Sequence, residues 1–342
     1  MRRTASIVGG VVSMVHPDMP LEFIDTELEA SVGRGLAVIE KRLDHVVESG
    51  DRFLTEAASH LFKAGGKRFR PMLALTAAHF GDPEAHGVTE SALVMELTHL
   101  ATLYHDDVMD EAAVRRGAPS ANARWDNSIA ILAGDYLFAI ASELVAELGS
   151  DTVREQARTF SRLVHGQIAE TVGAPDDQDP VEWYLYILAE KTGSLIATAA
   201  RLGAKFSGAP ESVVTALAEF GEIIGVAFQL SDDLIDILSD ADTTGKTPGT
   251  DLLEGVPTLP VLYALQQEDT SPRLRELLSG KVSESDLPEA LELLRGSKAM
   301  DTARGTLESY RDRAKEVVNS LPACPARDAL LGICDYMVER SS

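Results

Sequence analysis

The chain has 342 residues, with 31 basic against 54 acidic side chains and a net charge of −23, which excludes a nucleic-acid binder working through a broad basic surface. Hydrophobic residues make up 45% of it, enough to fill a large core, so disorder is excluded as the main theme. The only cysteines, Cys324 and Cys334, are too few for a disulfide framework and fit a reducing, cytoplasmic setting.

Residues 1–20 begin with Arg2 and Arg3 and continue through the apolar Ile7–Val15. Gly9-Gly10 interrupts that run and no small-residue cleavage site follows, so the segment is read as a mobile arm rather than a secretion signal. From Leu21 onward, apolar residues recur three and four apart, as in Leu93, Leu97, Leu100 and Leu103 or in Leu137, Ile140, Ala141 and Leu144. That is the period of a helix. Breaks fall at Gly65-Gly66, Gly81–Pro83, Gly117–Pro119, Gly173–Pro180, Gly208–Pro210, Thr243–Gly249 and Thr270–Pro272. No strand alternation, repeat or long linker is evident. The expected architecture is therefore a single all-α domain over residues 21–342, a helical bundle of ten or more helices. Windows between Leu93 and Ala200 are apolar around most of their circumference, which places them at the centre or at a subunit interface. No uninterrupted apolar run reaches the ~18 residues of a transmembrane segment.

Two acidic clusters repeat one pattern, Asp106-Asp107-Val-Met-Asp110 and Asp232-Asp233-Leu-Ile-Asp236. In a helix, positions i and i+4 share a face, so Asp106 and Asp110 can grip one cation, and Asp232 and Asp236 another. One such cluster in so acidic a chain would read as a solvated face. Two, each embedded in apolar sequence, do not. Oxygen-only ligands select a hard cation such as Mg²⁺, whose coordination shell is usually completed by substrate phosphate. Cations are scarce, and two groups stand out: Gly65-Gly66-Lys67-Arg68-Phe69-Arg70-Pro71 at a helix start, and Arg115-Arg116-Gly117 just after the first acidic cluster. Forked guanidinium donors, ammonium charge and free backbone N–H groups suit phosphate.

The first cluster in its setting, His-Leu-Ala-Thr-Leu-Tyr-His-Asp-Asp-Val-Met-Asp from His99 to Asp110, resembles the first aspartate-rich motif of all-trans polyprenyl diphosphate synthases. The second cluster, preceded by Phe228-Gln229-Leu230, resembles their second. Gly65–Pro71, His99, Gly134-Asp135, Lys191-Thr192-Gly193 and Gly245-Lys246 follow in the family's order, and the likeness runs from about Leu28 to the end. The resemblance implies helices around a central apolar cavity, a homodimer, and Mg²⁺-assisted joining of isopentenyl diphosphate to an allylic diphosphate. It further implies three ions, two held by Asp106 and Asp110 and one by Asp232, with Asp107, Asp233 and Asp236 in support. Arg115, Lys191 and Lys246 would bind the allylic diphosphate, and Lys67, Arg70, His99 and Arg116 isopentenyl diphosphate. The Lys191 carbonyl, Thr192 and Gln229 would stabilise the allylic cation, with released pyrophosphate as the final base. One departure is Thr250, standing where the family commonly has a second loop lysine.

In the family, aromatic residues four or five positions before the first aspartate stop growth early. Here those positions are Thr102 and Ala101, both small, and Leu97 and Phe138 are the next candidate stops. Tyr104 should point away. A medium- or long-chain product is therefore expected over the alternative, a geranylgeranyl product. Three rivals are weaker. Asp240–Asp251 only loosely matches a calcium-binding loop, with Pro248 and a terminal Asp in key places. A terpene cyclase would not need the cations at Lys67–Arg70. A non-catalytic regulatory subunit typically loses aspartates that are all present here.

Overall fold

A computed structural model describes residues 24–239 and 248–341. Among these residues the chain is helical almost throughout: α1 (Thr26–Val46), α2 (Arg52–Lys63), α3 (Phe69–Ala78), α4 (Val88–Met109), α5 (Ala121–Arg124), α6 (Asn127–Glu147), α7 (Ser150–Val172), α8 (Pro180–Leu188), α9 (Ser194–Phe206) and α10 (Glu211–Leu238). The remaining helices are α11 (Thr250–Glu254), α12 (Leu259–Gln266), α13 (Pro272–Leu277), α14 (Leu287–Arg295), α15 (Lys298–Asn319) and α16 (Pro325–Glu339). The N-terminal arm read from residues 1–20 lies outside the described residues.

Short polar side chains start these helices where the sequence supplies them. Asp25, Asp51 and Asp179 each accept hydrogen bonds from two N–H groups of the first turn, and Asp126 accepts one from the Ile129 N–H. α4 packs against α6 and α9, and α9 lies between α3 and α10. Leu93, Met95, Leu97, Leu100 and Tyr104 on α4 are fully buried, as are Phe220, Ile224 and Leu230 on α10. One apolar cluster runs from Leu28 to Met337.

The expectation of no strand is corrected at one place. Val114–Arg115 and Ala118–Pro119 form a two-stranded antiparallel hairpin in which Arg115 pairs with Ala118. Its turn residues, Arg116 and Gly117, have φ of 55° and 74°, the two positive values a tight hairpin turn requires. Strands of two residues are too short to leave an alternating pattern. A second difference lies at Ala189–Gly193, where a π-helical turn interrupts what reads as one helix from α8 into α9. The expectation about membrane spans also needs adjustment. α6 and α10 are long and apolar enough to cross a membrane by length and composition alone, although most of the apolar stretch of α10 is buried in the bundle.

Candidate active site

A cavity of about 430 Å³ opens between α3, α4, α7, the π-turn and α10. Its polar end gathers Arg70, His99, Asp106, Arg115, Lys191, Thr192 and Gln229, and its apolar side is walled by Leu103, Phe160, Leu163, Val164 and Leu195. Five separate elements, α3, α4, the hairpin, the π-turn and α10, thus deliver groups that the sequence pattern singled out.

The first acidic cluster ends α4. Asp106 lines the cavity, and burial pushes its carboxyl up to about 6, with the neighbouring Asp110 charge adding to the rise. Asp107 lies about 100° further round the helix and is fully buried. Its Oδ1 accepts from Arg115 Nε at 2.5 Å, while Oδ2 has no protein partner. Arg115 also approaches Asp110 at 3.9 Å, so the hairpin guanidinium is locked to the cluster it follows.

The second cluster divides in the same way. Asp232 is half exposed, whereas Asp233 is buried, accepts a 2.7 Å hydrogen bond from the Tyr184 hydroxyl, and is pushed up to about 8, chiefly by burial. Asp236 accepts from the Thr250 and Asp251 N–H groups at 3.2 and 3.3 Å, capping α11, which begins with no side-chain cap of its own. In each cluster the first carboxylate is thus turned outward and the second inward. Carboxylate oxygens are the right donors for a hard divalent cation, and the poorly solvated Asp106 and the orphaned Asp107 oxygen mark the first site as short of positive charge. Among the described residues no three acidic, histidine or cysteine groups converge on one point. An ion here would therefore need oxygens from substrate as well.

The anion ligands are distributed unevenly. Gly65 and Gly66, with φ of 108° and 149°, carry the chain between α2 and α3 in conformations that glycine alone adopts freely. Lys67 is exposed, and Arg70 lines the cavity with its Nε buried and unpartnered, its guanidinium pushed down to about 10 by burial. Between them Arg68 turns the other way, into Glu40, Glu96 and the Phe62 carbonyl. It is a structural cation rather than part of an anion site. Arg116 bonds the carbonyls of Leu61 and Gly65, which ties the hairpin to the glycine loop. Burial, followed by the charges of Arg70, Arg116, Arg68 and Arg115, holds His99 well below the usual histidine range, so it is neutral at physiological pH. Lys191 is paired with Glu170 of α7. Lys246 lies outside the described residues, as does most of the loosely calcium-like loop.

The expected floor is rearranged. Thr102 lines the cavity, but Ala101 and Leu97 are fully buried and do not. Gly134 lets α6 close on α4, since a Cβ there would run into the His105 ring and lie 3.1 Å from the Ala101 carbonyl, so Ala101 stands at the packed contact of the two helices. Phe138 sits one layer back, its ring 4.4 Å from that of Phe160, which faces the cavity. Tyr104 points away as expected, its hydroxyl donating to the Ala57 carbonyl. His105 also lines the cavity, 3.4 Å from Asp135.

Sequence reasoning missed Arg340. From the end of α16 its guanidinium bonds Asp232 at 2.7 Å, the Ser231 hydroxyl and the Phe228 carbonyl, and stacks on the Phe228 ring. No motif marks it, because the contact joins residues 108 positions apart. Tyr184 and Glu170 were missed for the same reason.

The polyprenyl synthetase family model matches residues 51–294. The nonaprenyl diphosphate synthase of Mycobacterium tuberculosis is 48% identical over 99% of both chains. Among solved structures, the geranylgeranyl pyrophosphate synthase of Corynebacterium glutamicum, complexed with calcium and isoprenyl diphosphate, superposes with a TM-score of 0.84 at 47% identity, over 94% of this chain and 99% of that one. A decaprenyl diphosphate synthase from Rhodobacter capsulatus gives 0.84 at 31% identity, over 92% and 99%. With Asp106 and the cations Arg70, Arg115 and Lys191 gathered at one cavity, these matches make the chain a member of the polyprenyl synthetase family and an enzyme of trans-prenyl transfer between diphosphates.

Proposed function

We propose that this prenyltransferase uses Mg²⁺ and makes a medium- or long-chain all-trans product. The observation that carries the length is the cavity wall: Thr102 is small where α4 borders the cavity, and the aromatic side chain in the lining is Phe160 of α7, backed by Phe138. One helical turn, about 5.4 Å, is comparable to one isoprene unit, so a wall set back by a turn or more admits further additions. The alternative, a geranylgeranyl product, draws on the Corynebacterium likeness.

Asp106, Asp110 and Asp232 would hold the ions, with Asp236 beside them and Asp107 and Asp233 setting their surroundings. Bound Mg²⁺ neutralises charge on the leaving diphosphate. Arg115 and Lys191 orient the allylic diphosphate, Lys191 exchanging Glu170 for phosphate oxygens; Lys246 is assigned with them on the resemblance. Arg70, His99, Arg116 and Lys67 bind isopentenyl diphosphate, with neutral His99 free to donate one N–H. Thr192, the Lys191 carbonyl and Gln229 present dipoles to the allylic cation without a nucleophile strong enough to trap it. Water is kept out by Leu103, Leu163 and Leu195. The enzyme is further read as one domain over residues 21–342, a homodimer and cytoplasmic. The dimer is supported by the exposed apolar residues Ile131 and Leu132 on α6, and the setting by two free thiols.

The test incubates the purified chain alone with Mg²⁺, radiolabelled isopentenyl diphosphate and farnesyl diphosphate, and reads product length by chromatography. Products longer than geranylgeranyl are expected, shortened by Thr102→Phe and lengthened by Phe160→Ala. Asp106→Ala or Asp232→Ala should cut turnover by a factor of about a thousand or more, since each removes several kcal/mol of stabilisation of the leaving charge. A wild-type product stopping at geranylgeranyl overturns the length, and near-normal turnover in either aspartate variant overturns the metal assignment.

A further inference from the structure

The π-turn that presents Lys191 and Thr192 to the cavity has a charged back. Glu190, the residue before Lys191, faces away from the cavity and is bonded by Arg162 of α7, at 2.7 Å from Nε and 2.6 Å from Nη2. The same guanidinium forks onto Glu222 of α10 at 2.8 and 3.3 Å. We propose that Arg162 is a positioning residue for prenyl transfer, clamping the π-turn between α7 and α10 so that Lys191 and Thr192 point at the reacting groups. The proposal rests on the roles given to those two residues above.

Three observations carry it. First, the turn needs an external reference. A π-turn inserts an extra residue into the helical ladder, appears mostly as a single turn inside a longer helix, and is frequent at functional sites. Second, the backbone packing around it is close but smooth. A Cβ on Gly166 would lie 2.8 to 2.9 Å from atoms of Glu190 and Lys191, and one on Gly225 would lie 2.7 Å from the Gly193 Cα. Glycines on α7 and α10 let the turn approach closely, and having no side chain of their own they add no polar group that fixes its orientation. Third, Arg162 supplies what those contacts lack. It stands one helical turn before Gly166 on α7, and its planar fork reaches the π-turn and α10 together. Arg162 and Glu222 line a separate outer groove, with Thr159 and Thr198 at its base, and neither borders the cavity. The clamp thus acts through Lys191 and Thr192 and does not touch substrate. Partly exposed ion pairs add little to global stability, so the fold should survive its loss, whereas small misplacements of reacting groups are costly to rate.

The test uses the full chain with Arg162→Met, Arg162→Lys, Glu222→Gln and the Arg162→Met/Glu222→Gln pair. Arg158→Ala, one turn earlier in the same groove, is the control. Farnesyl diphosphate and isopentenyl diphosphate are varied separately in steady-state assays, with thermal unfolding alongside. Arg162→Met should lower kcat/KM for the allylic substrate ~10- to 100-fold, leave KM for isopentenyl diphosphate and the unfolding temperature unchanged, and be partly rescued in Arg162→Lys. The double variant should be no worse than Arg162→Met, since the two residues act as a unit. Unchanged allylic kcat/KM, or equal losses for both substrates with a lowered unfolding temperature, overturns the clamp. Lys191→Ala separates the two levels: if it too is unimpaired, the assigned role of the turn fails, and if it is crippled while Arg162→Met is not, the clamp alone fails.

Discussion

At the scale of single residues, the two acidic clusters show how helix geometry divides labour among identical side chains. Neighbouring positions are about 100° apart around the axis, so the second aspartate of each cluster cannot share the face of the first and fifth. Asp107 and Asp233 turn inward as a result, one to Arg115 and the other to Tyr184. For Asp233 this has a pH consequence. Its folded-state value of about 8 lies above its ordinary value of 3.8, so the native state holds a proton that the unfolded chain releases. A raised value contributes stability that is fully present below the unfolded value and is lost as pH rises through the folded one. Without metal, resistance to urea should therefore fall between about pH 4 and pH 8, by up to about 1.4 kcal/mol per pH unit. Asp233→Asn, which keeps the Tyr184 contact without the charge, should flatten that slope. An equal slope in the variant would mean that Asp233 does not hold the proton.

At the scale of elements, the hairpin at Val114–Pro119 is small but decides where two arginines point. Its turn puts Arg116 and Gly117 in the left-handed region, where a side chain costs roughly 1–2 kcal/mol. Arg116 bears that strain and is held by the Leu61 and Gly65 carbonyls, whereas Gly117 has no Cβ and open space around it. Gly117→Val should therefore distort the turn without steric clash. The measurable outcome is a raised KM for both diphosphates, because Arg115 and Arg116 move together, with helical circular dichroism unchanged. Normal KM values would show that the hairpin tolerates the strain and that arginine placement is fixed from the α2 side alone.

At the scale of the whole molecule, the fold leaves one apolar surface uncovered. Less than half of the apolar stretch of α6 is buried, and Leu132 and its neighbour Ile131 are 59% and 43% exposed. An apolar patch of this kind on a chain of charge −23 fits burial against a second copy. On the dimer reading proposed above, the wild-type chain should run as a dimer in size-exclusion light scattering, and Leu132→Glu, which puts a charge into that patch, should run as a monomer. A dimer that persists unchanged would move the interface elsewhere. The same view explains Arg340: the last turn of α16 returns to α10 and attaches the end of the chain to Asp232.

Much of this was legible from the residues in order. Helical period, breaks at glycine and proline, duplicated i, i+4 carboxylates and the rare clustered cations are all local, and local spacing sets which side chains share a helix face. They were enough to expect an all-helical fold and hard-cation and phosphate ligands, and the reaction class followed from the family resemblance that the same motifs carry. What remained hidden depends on which helix packs against which. Arg68 looks like its neighbours until Glu40 and Glu96 claim it, and Ala101 looks like a floor until Gly134 closes against it. Thr102 and Phe160, on different helices, form one wall only once the bundle exists. The same holds for Arg162 and Arg340, whose partners lie far along the chain. Periodicity determined the helical elements and the motifs, through their family resemblance, the chemistry, while long-range packing alone decided which copies of the same side chain face the cavity and which face the core.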